Sequence, residues 1–259
     1  MTYNVKGFDL YNWEKNSKSK MLKIVKDENP DIVCFQEAYW NSNNKNFITI
    51  DSVKYLLSTN FAYKSAMSSS VGGQNFGFAT VSKYPIINSF SCKFENSSNG
   101  FIFTDIVIKN DTVRVYNCHL QSIHLDSDDF SAIKQMFEDE LNPEVKGVVK
   151  KYVKAYKKRA DQSRIVKESI DSCKYAVFVC GDFNDGPLTY TYSKIIAGLK
   201  DSYTEKGKFP GFTWDNHKIR QRIDYILFDE KFKCTDHNII KEKYSDHYAI
   251  SAGFDMGGL

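Results

Sequence analysis

The chain has 259 residues, of which 42% are hydrophobic and 26% are charged, and its formal net charge is +3 at pH 7. This length is enough to bury a sizeable core, and the charge is too small to indicate a polyanionic partner by itself. We therefore expect one α/β domain spanning residues 1–259.

The first third of the chain predicts a strand, helix, strand unit. Thr2 to Val5 resembles the end of a strand, and Lys20 to Asp27 has apolar residues at helical spacing. Asn29-Pro30 ends that helix, because the residue before a proline disfavours helical geometry. Asp31 to Phe35 then predicts a buried strand, and Ser52 to Leu57 a short helix.

In the middle of the chain, alternating polar and apolar residues replace the helical spacing. Strands are predicted at Phe76 to Val81 and at Ile86 to Phe90. Phe101 to Lys109 and Thr112 to Tyr116 flank Asn110-Asp111, which is typical of a hairpin turn.

Two helices are predicted next, at Asp126 to Glu140 and at Glu144 to Ser172. The second has a lysine at about every turn beside valines and tyrosines, which favours a solvated helix face, with contact to a phosphate backbone as the alternative. The remaining predicted elements are a buried strand at Tyr175 to Cys180, a helix at Tyr192 to Leu199, a strand or loop at Phe209 to Trp214, and a strand at Lys233 to Lys241.

The six cysteines are scattered without a CxxC pair, which is typical of reduced core residues rather than of a disulfide framework or a zinc knuckle. No apolar stretch reaches the length of a membrane span and no signal peptide is evident. The sequence therefore predicts a soluble monomer, cytoplasmic if the chain is complete. Because so little precedes the first strand, a trimmed N-terminus is a further hypothesis, and a lost segment could have tethered the protein to a membrane.

Five apolar runs end in groups that could hold a metal ion or move a proton. An acid or imidazole at the edge of a core is costly unless it is paired or bound to a metal, so five such junctions indicate one polar pocket. Its oxygen-rich side chains suit Mg²⁺ or Mn²⁺ better than zinc. The junctions are Gln36-Glu37, Asn117-Cys118-His119-Leu120-Gln121, Asp182-Phe183-Asn184, Arg222-Ile223-Asp224 and Ser245-Asp246-His247.

In their order and spacing, these motifs resemble the endonuclease/exonuclease/phosphatase superfamily, also called deoxyribonuclease-I-like. The match runs from Asn4 to His247 and includes Ser82-Lys83-Tyr84-Pro85 and Gly181-Asp182-Phe183-Asn184. The resemblance implies a four-layer α/β/β/α sandwich, with two mainly antiparallel, mixed sheets packed face to face and helices outside. It also implies a Mg²⁺-dependent hydrolase of phosphate esters, a phosphodiesterase or nuclease in type, that acts by metal-assisted attack of water.

By that likeness, Asn4, Glu37 and Asp246 are the candidate metal ligands, with Glu37 as the principal one. Asp182 would orient or deprotonate the attacking water, and Asn184 would hold it. The candidate catalytic residues are His119, Asp182, Asn184, Asp224 and His247, with Asp224 orienting the His247 imidazole and His119 contacting the phosphoryl group or the leaving oxygen.

Candidate substrate-binding residues are Gln121, Arg159 and Arg222. Arg159 falls where related hydrolases have an Arg-x-x-Gln pair, so it could clamp a phosphate, and a plain surface arginine is the alternative.

The sequence leaves the substrate open. Nucleic acid, phospholipid or phosphoinositide head groups and small phosphorylated metabolites all remain candidates, because selectivity in such folds depends on loops. Phe212-Thr213-Trp214-Asp215 lacks the second tryptophan usual in abasic-site nucleases, which argues against that activity. A catalytically silent binding protein on the same fold is the alternative from another class.

Overall fold

The structure is a computed structural model that describes residues 1–8, 10, 16–43, 49–123, 143–216 and 219–257, the side chains of 143–145 excepted. The strands are β1 Thr2–Asn4, β2 Ile32–Asn41, β3 Phe61–Ser69, β4 Gln74–Ser82, β5 Ile86–Lys93, β6 Gly100–Ile108, β7 Asp111–His119, β8 Ala176–Asp182, β9 Leu199–Asp201, β10 Trp214–Asp215, β11 Arg220–Gln221, β12 Asp224–Asp229, β13 Lys233–Ile240 and β14 Ala249–Asp255. The helices are α1 Ser17–Glu28, α2 Thr49–Leu56, α3 Pro143–Asp171, α4 Tyr190–Ile196 and α5 Ser202–Lys206.

Twelve of these strands form two six-stranded sheets. The first has the order β13-β14-β1-β2-β4-β3 and the second β5-β6-β7-β8-β12-β9, while β10 and β11 pair as a separate ribbon. In each sheet one central pair is parallel, β1 with β2 and β7 with β8, and the other described neighbours are antiparallel. Because strands of a parallel pair end at the same edge, each sheet brings two strand ends together there.

The two sheets pack face to face over a shared apolar core. Cys34 and Ile250 from the first sheet meet Val115, Cys180 and Ile226 from the second. Alternate residues of the same strands face the other way, because side chains of a strand point to opposite faces in turn. Each sheet therefore has a second apolar face to cover.

Helices cover the outer face of the first sheet. Met21 and Val25 of α1 and Ile50 of α2 pack against Phe35 and Val81 of that sheet. The helix α1 has its apolar residues at the spacing that the sequence predicted. It ends at Asn29, which adopts the left-handed conformation (φ 45°) and donates its N–H to Val25 O, a common helix C-terminus.

The outer face of the second sheet is covered by α3 and α4. Val166 and Ile170 of α3 and Ile195 of α4 pack against Val179 and Leu227. The order is thus helices, sheet, sheet, helices, which confirms the predicted four-layer sandwich.

A buried polar contact crosses the space between the two sheets. Gln36 Nε2 donates to Asn117 Oδ1 at 2.7 Å, and Asn117 Nδ2 donates to the carbonyls of Phe35 and Ala79 at 3.1 Å each. Since Asn117 belongs to β7 and the carbonyls belong to β2 and β4, this amide fixes one sheet against the other.

Some elements differ from the prediction. The strand predicted to end at Phe35 continues to Asn41, and β3 was not predicted. The helix predicted from Tyr192 to Leu199 ends at Ile196, and Leu199 begins β9 instead. The helix predicted at Asp126 to Glu140 lies outside the described residues.

Candidate active site

The parallel strand pairs set the first members of the site side by side. Asn4 ends β1, next to Gln36 of β2, and His119 ends β7, opposite Asp182 at the end of β8. Asn4 Nδ2 lies 3.0 Å from Glu37 Oε1 and 3.0 Å from Asp182 Oδ2, so one amide joins carboxylates from the two sheets.

Asp182 is the centre of the cluster. His119 Nε2 and His247 Nε2 each lie 3.6 Å from Asp182 Oδ2, and Asp182 Oδ1 accepts the backbone N–H of Asn184 at 2.8 Å. Burial raises the pKa of Asp182, while the neighbouring His247 opposes the rise. A buried carboxyl with a raised pKa is a better base than an exposed one.

His247 is held by Asp224, as the resemblance implied. Its Nδ1 lies 3.0 Å from Asp224 Oδ2 and 3.3 Å from Oδ1, and both side chains are buried. Burial alone would lower the pKa of His247, but the carboxylates of Asp224 and Asp182 outweigh it and raise that pKa to about 10. The imidazole therefore carries a positive charge at neutral pH.

Glu37 lies within a strand rather than after one. The pairing of β2 with β4 is irregular between Phe35 and Ala38, and Glu37 has a φ of 51°. A β-bulge of this kind turns a side chain out of the regular alternation. Here it places Glu37 Oε1 3.7 Å from His119 Nε2, while 37% of the glutamate side chain stays exposed.

Gly181 allows the strand carrying Asp182 to approach its neighbour. Its φ is 132°, and a Cβ there would lie 2.0 Å from the carbonyl oxygen of Cys118. An L-residue would therefore force β7 and β8 apart.

Sequence reasoning missed two residues beside Asp246. Lys6 Nζ lies 2.6 Å from Asp246 Oδ2, and Trp214 Nε1 donates to the same oxygen at 3.4 Å. Burial would raise the pKa of Asp246, but His247 and Lys6 together lower it. No local pattern points to Lys6 in advance, because its place depends on a segment 240 residues away.

Arg159 is placed differently from the expectation of a phosphate clamp. Its side chain is 0% exposed, with Nε 3.0 Å from Asp185 Oδ2 and Nη1 2.9 Å from the carbonyl oxygen of Gln121. Gln162 accepts the backbone N–H of Gln121 at 2.9 Å. The Arg-x-x-Gln pair thus fixes the chain after β7 to the chain after β8, and Arg159 does not line the cleft.

Arg222 is likewise engaged inside the fold. Its Nη1 lies 2.5 Å from Asp201 Oδ2, and its guanidinium lies over the rings of Tyr192, Tyr203 and Tyr225. Neither guanidinium is placed to contact a ligand in the cleft.

The site opens into a cleft of about 1220 Å³. Its polar floor holds the candidate catalytic and metal-binding side chains Glu37, His119, Asp182, Asn184, Asp246 and His247. Apolar side chains that line the same cleft include Met67, Phe78, Val149, Tyr152 and Val153. A ligand with both an anionic and an apolar part would match this mixed lining.

The donor set fits a hard divalent cation. Glu37 and Asp246 both line the cleft and offer carboxylate oxygens, the donors that Mg²⁺ and Mn²⁺ prefer. Asp182, Asp224 and His247 also place ligand atoms within 4.8 Å of one another. His247 already lies between the two aspartates, with a hydrogen bond to Asp224 and an ion pair with Asp182 at 3.6 Å, so the trio is less open to a metal ion than the cleft floor.

Comparisons with known proteins agree with this architecture. The profile described as "Endonuclease/Exonuclease/phosphatase family" matches residues 1–247. Similar structures include an endonuclease/exonuclease/phosphatase family protein from Leptotrichia buccalis, with 20% identity, 98% of each chain covered and a TM-score of 0.66. Truncated TDP2 from Caenorhabditis elegans has 20% identity over 98% of this chain and 95% of that one, with a TM-score of 0.69.

A mannosyl-6-phosphatase from Bacteroides thetaiotaomicron is also similar in structure, with 13% identity, 98% of each chain covered and a TM-score of 0.68. At these identities the three structures bear on the fold alone. No curated protein matches the chain in sequence. Among the described residues, no helix combines the length and the apolar character needed to cross a bilayer.

Proposed function

The chain belongs to the endonuclease/exonuclease/phosphatase family, and on that premise we propose that it is a Mg²⁺-dependent hydrolase that cleaves phosphodiesters by attack of water. Members of this family are hydrolases of phosphate esters and generally use divalent metal ions. The observation that carries the proposal is the convergence of Asn4, His119 and His247 on one oxygen of Asp182.

In this mechanism Asp182 accepts the proton of the attacking water as the water oxygen bonds to phosphorus. The bond from phosphorus to the leaving oxygen breaks, and that oxygen takes a proton from solvent. Its burial raises its pKa and so makes it a stronger base. Asn184, whose Nδ2 is anchored on the Leu120 carbonyl at 3.0 Å, holds the water beside it. His247 stays protonated, and its Nε2–H stabilises the negative charge that develops on the phosphoryl oxygens. His119, between Glu37 and Asp182, contacts the phosphoryl group or the leaving oxygen.

Asn4, Glu37 and Asp246 would hold Mg²⁺ or Mn²⁺, which when bound supplies a Lewis acid that polarises a phosphoryl oxygen. The oxygen donors of the cleft floor support this choice of ion. Glu37→Gln removes one negative charge from the ligand set, so it should weaken Mg²⁺ binding about tenfold or more in calorimetry.

The test is hydrolysis of a chromogenic bis-ester, DNA, RNA and lipid head groups with Mg²⁺ and with a chelator. Asp182→Asn and His247→Gln should each lower kcat at least about a thousandfold with little change in Tm. Asp111→Asn changes an exposed aspartate at the start of β7 and is the matched control. Wild-type rates in either site variant, or full activity in chelator, would contradict the proposal.

A further inference from the structure

The first half of α3 leaves apolar side chains on the surface. Val149, Tyr152, Val153 and Tyr156 are 43%, 45%, 44% and 36% exposed. An isolated exposed apolar residue is ordinary on a protein surface, but four within two turns form a patch. An exposed apolar patch of this kind is typical of a surface that contacts another protein or a membrane.

This patch extends the apolar side of the helix beyond what the core requires. At about 3.6 residues per turn, the buried residues Val148, Ala155 and Val166 form one stripe, and the exposed ones lie along one flank of it. In the second half of α3 the same flank carries Arg164 and Lys167 instead. Large exposed apolar side chains on this flank are therefore concentrated beside the cleft.

Lysines border the patch. Residues 143–158 contain six lysines and one glutamate, whereas residues 159–171 contain three basic and three acidic residues. Lys146, Lys150 and Lys157 are exposed and follow the apolar flank around the helix. The positive charge of α3 is thus concentrated in the same half as the patch.

The patch is continuous with the candidate active site. Val149, Tyr152 and Val153 line the same cleft as His119 and Asp182. A surface bound to the patch would therefore meet the opening of the cleft.

We propose that this face of α3 docks on an anionic lipid surface and that the substrate is a phospholipid head group presented there. An apolar strip with flanking lysines matches a membrane interface, where apolar side chains enter the acyl boundary and lysines meet anionic head groups. A nucleic acid would engage the lysines and leave the valines in water. This inference rests on the proposed phosphodiesterase function for the cleavage step, but the docking is independent of it.

The test is co-sedimentation of the protein with vesicles of phosphatidylcholine and phosphatidylglycerol, compared with phosphatidylcholine alone. Binding should require the anionic lipid. The triple change of Lys146, Lys150 and Lys157 to Gln should weaken it about a hundredfold, since each lysine near an anionic surface contributes about fivefold. Val149→Ser with Val153→Ser should weaken it at least about tenfold.

Two matched controls isolate the surface. Ile165→Ser removes an equally exposed apolar side chain from the far side of α3, and its exposed fraction is also 43%. Changing the exposed Lys200, Lys231 and Lys233 to Gln removes the same charge elsewhere. Both controls should bind vesicles like the wild type. If a control variant lost as much vesicle binding as the α3 variant that it matches, the proposed docking face would be wrong.

The remaining outcomes separate this inference from the proposed function. A wild type that cleaves the soluble bis-ester but does not bind anionic vesicles overturns the docking alone. Loss of binding in the lysine variant without any loss in the valine variant also overturns it, because the valines then do not enter the lipid interface. A wild type that binds vesicles but releases no head group overturns the lipid substrate, and if it also leaves the bis-ester intact, the proposed function fails as well.

Discussion

His237 offers a test of the electrostatics of the fold away from the cleft. This buried residue of β13 has Nδ1 2.9 Å from Ser202 Oγ, and its Nε2 has no hydrogen-bond partner among the described residues. Burial lowers its pKa to about 4; Asp201 and Asp236 act against that lowering, and Arg222 adds to it. The folded protein therefore holds this imidazole neutral at a pH where a free histidine is charged.

The sign of the pH effect follows from that difference. The pKa of His237 is about 4 in the folded chain and about 6.5 in the unfolded chain. Below the unfolded value the unfolded chain binds more protons, so stability falls as pH drops from about 6.5 to about 4. With about 1.4 kcal/mol for each pH unit, the loss is about 3 kcal/mol. Domains of this kind are stable by only about 5–15 kcal/mol, so the loss is measurable.

The assay is urea unfolding at a series of pH values between about 4 and about 7, for the wild type and for His237→Asn. Asparagine keeps a polar atom near Ser202 but cannot titrate in this range. Other acidic groups affect both proteins equally, so the wild type should lose stability more steeply, by up to about 1.4 kcal/mol for each pH unit. Parallel pH curves for the two proteins would refute the reasoning.

Three further changes test the site and its supports. Asp224→Asn keeps a hydrogen bond to the His247 imidazole but removes the largest of the charges that raise its pKa, so kcat should fall at least about a hundredfold with Tm nearly unchanged. Arg159→Met leaves Asp185 buried and unpaired, so calorimetry or urea unfolding should show a loss of about 3 to 5 kcal/mol, whereas an arginine that only binds substrate would change KM instead. Gly181→Ala would push a Cβ against Cys118, so unfolding should occur at a clearly lower Tm and activity should be lost with it.

The sequence predicted that distant site residues lie close together, but it did not predict the local backbone geometry that places them. Asn4 and Asp182 are 178 positions apart and still share a hydrogen bond, as expected for polar residues that each end an apolar strand. The bulge at Glu37 was not predictable, because it depends on how β2 pairs with β4, a non-local contact.

Arg159 shows that the sequence carries a signal for a buried position in its helical spacing. Arg159 falls on the same helical stripe as Val148, Ala155 and Val166, so its spacing already indicated a buried position. Its partner Asp185 directly follows the motif that carries Asp182 and Asn184. By contrast, nothing near Lys6 indicates a contact with Asp246, since only the assembled fold brings them together.

The buried amide between the sheets explains how the separate strand ends keep one geometry, and it can be tested. Asn117→Leu removes the contacts to Gln36 and to the carbonyls of Phe35 and Ala79, whereas Gln36→Leu removes only one of these three. Since each buried polar group left unsatisfied costs about 1–3 kcal/mol, Asn117→Leu should be the more destabilising in urea unfolding. The double variant should lose less than the sum of the two single losses, because both lose the same contact. Strict additivity would show that the hydrogen bond between Gln36 and Asn117 contributes nothing to stability.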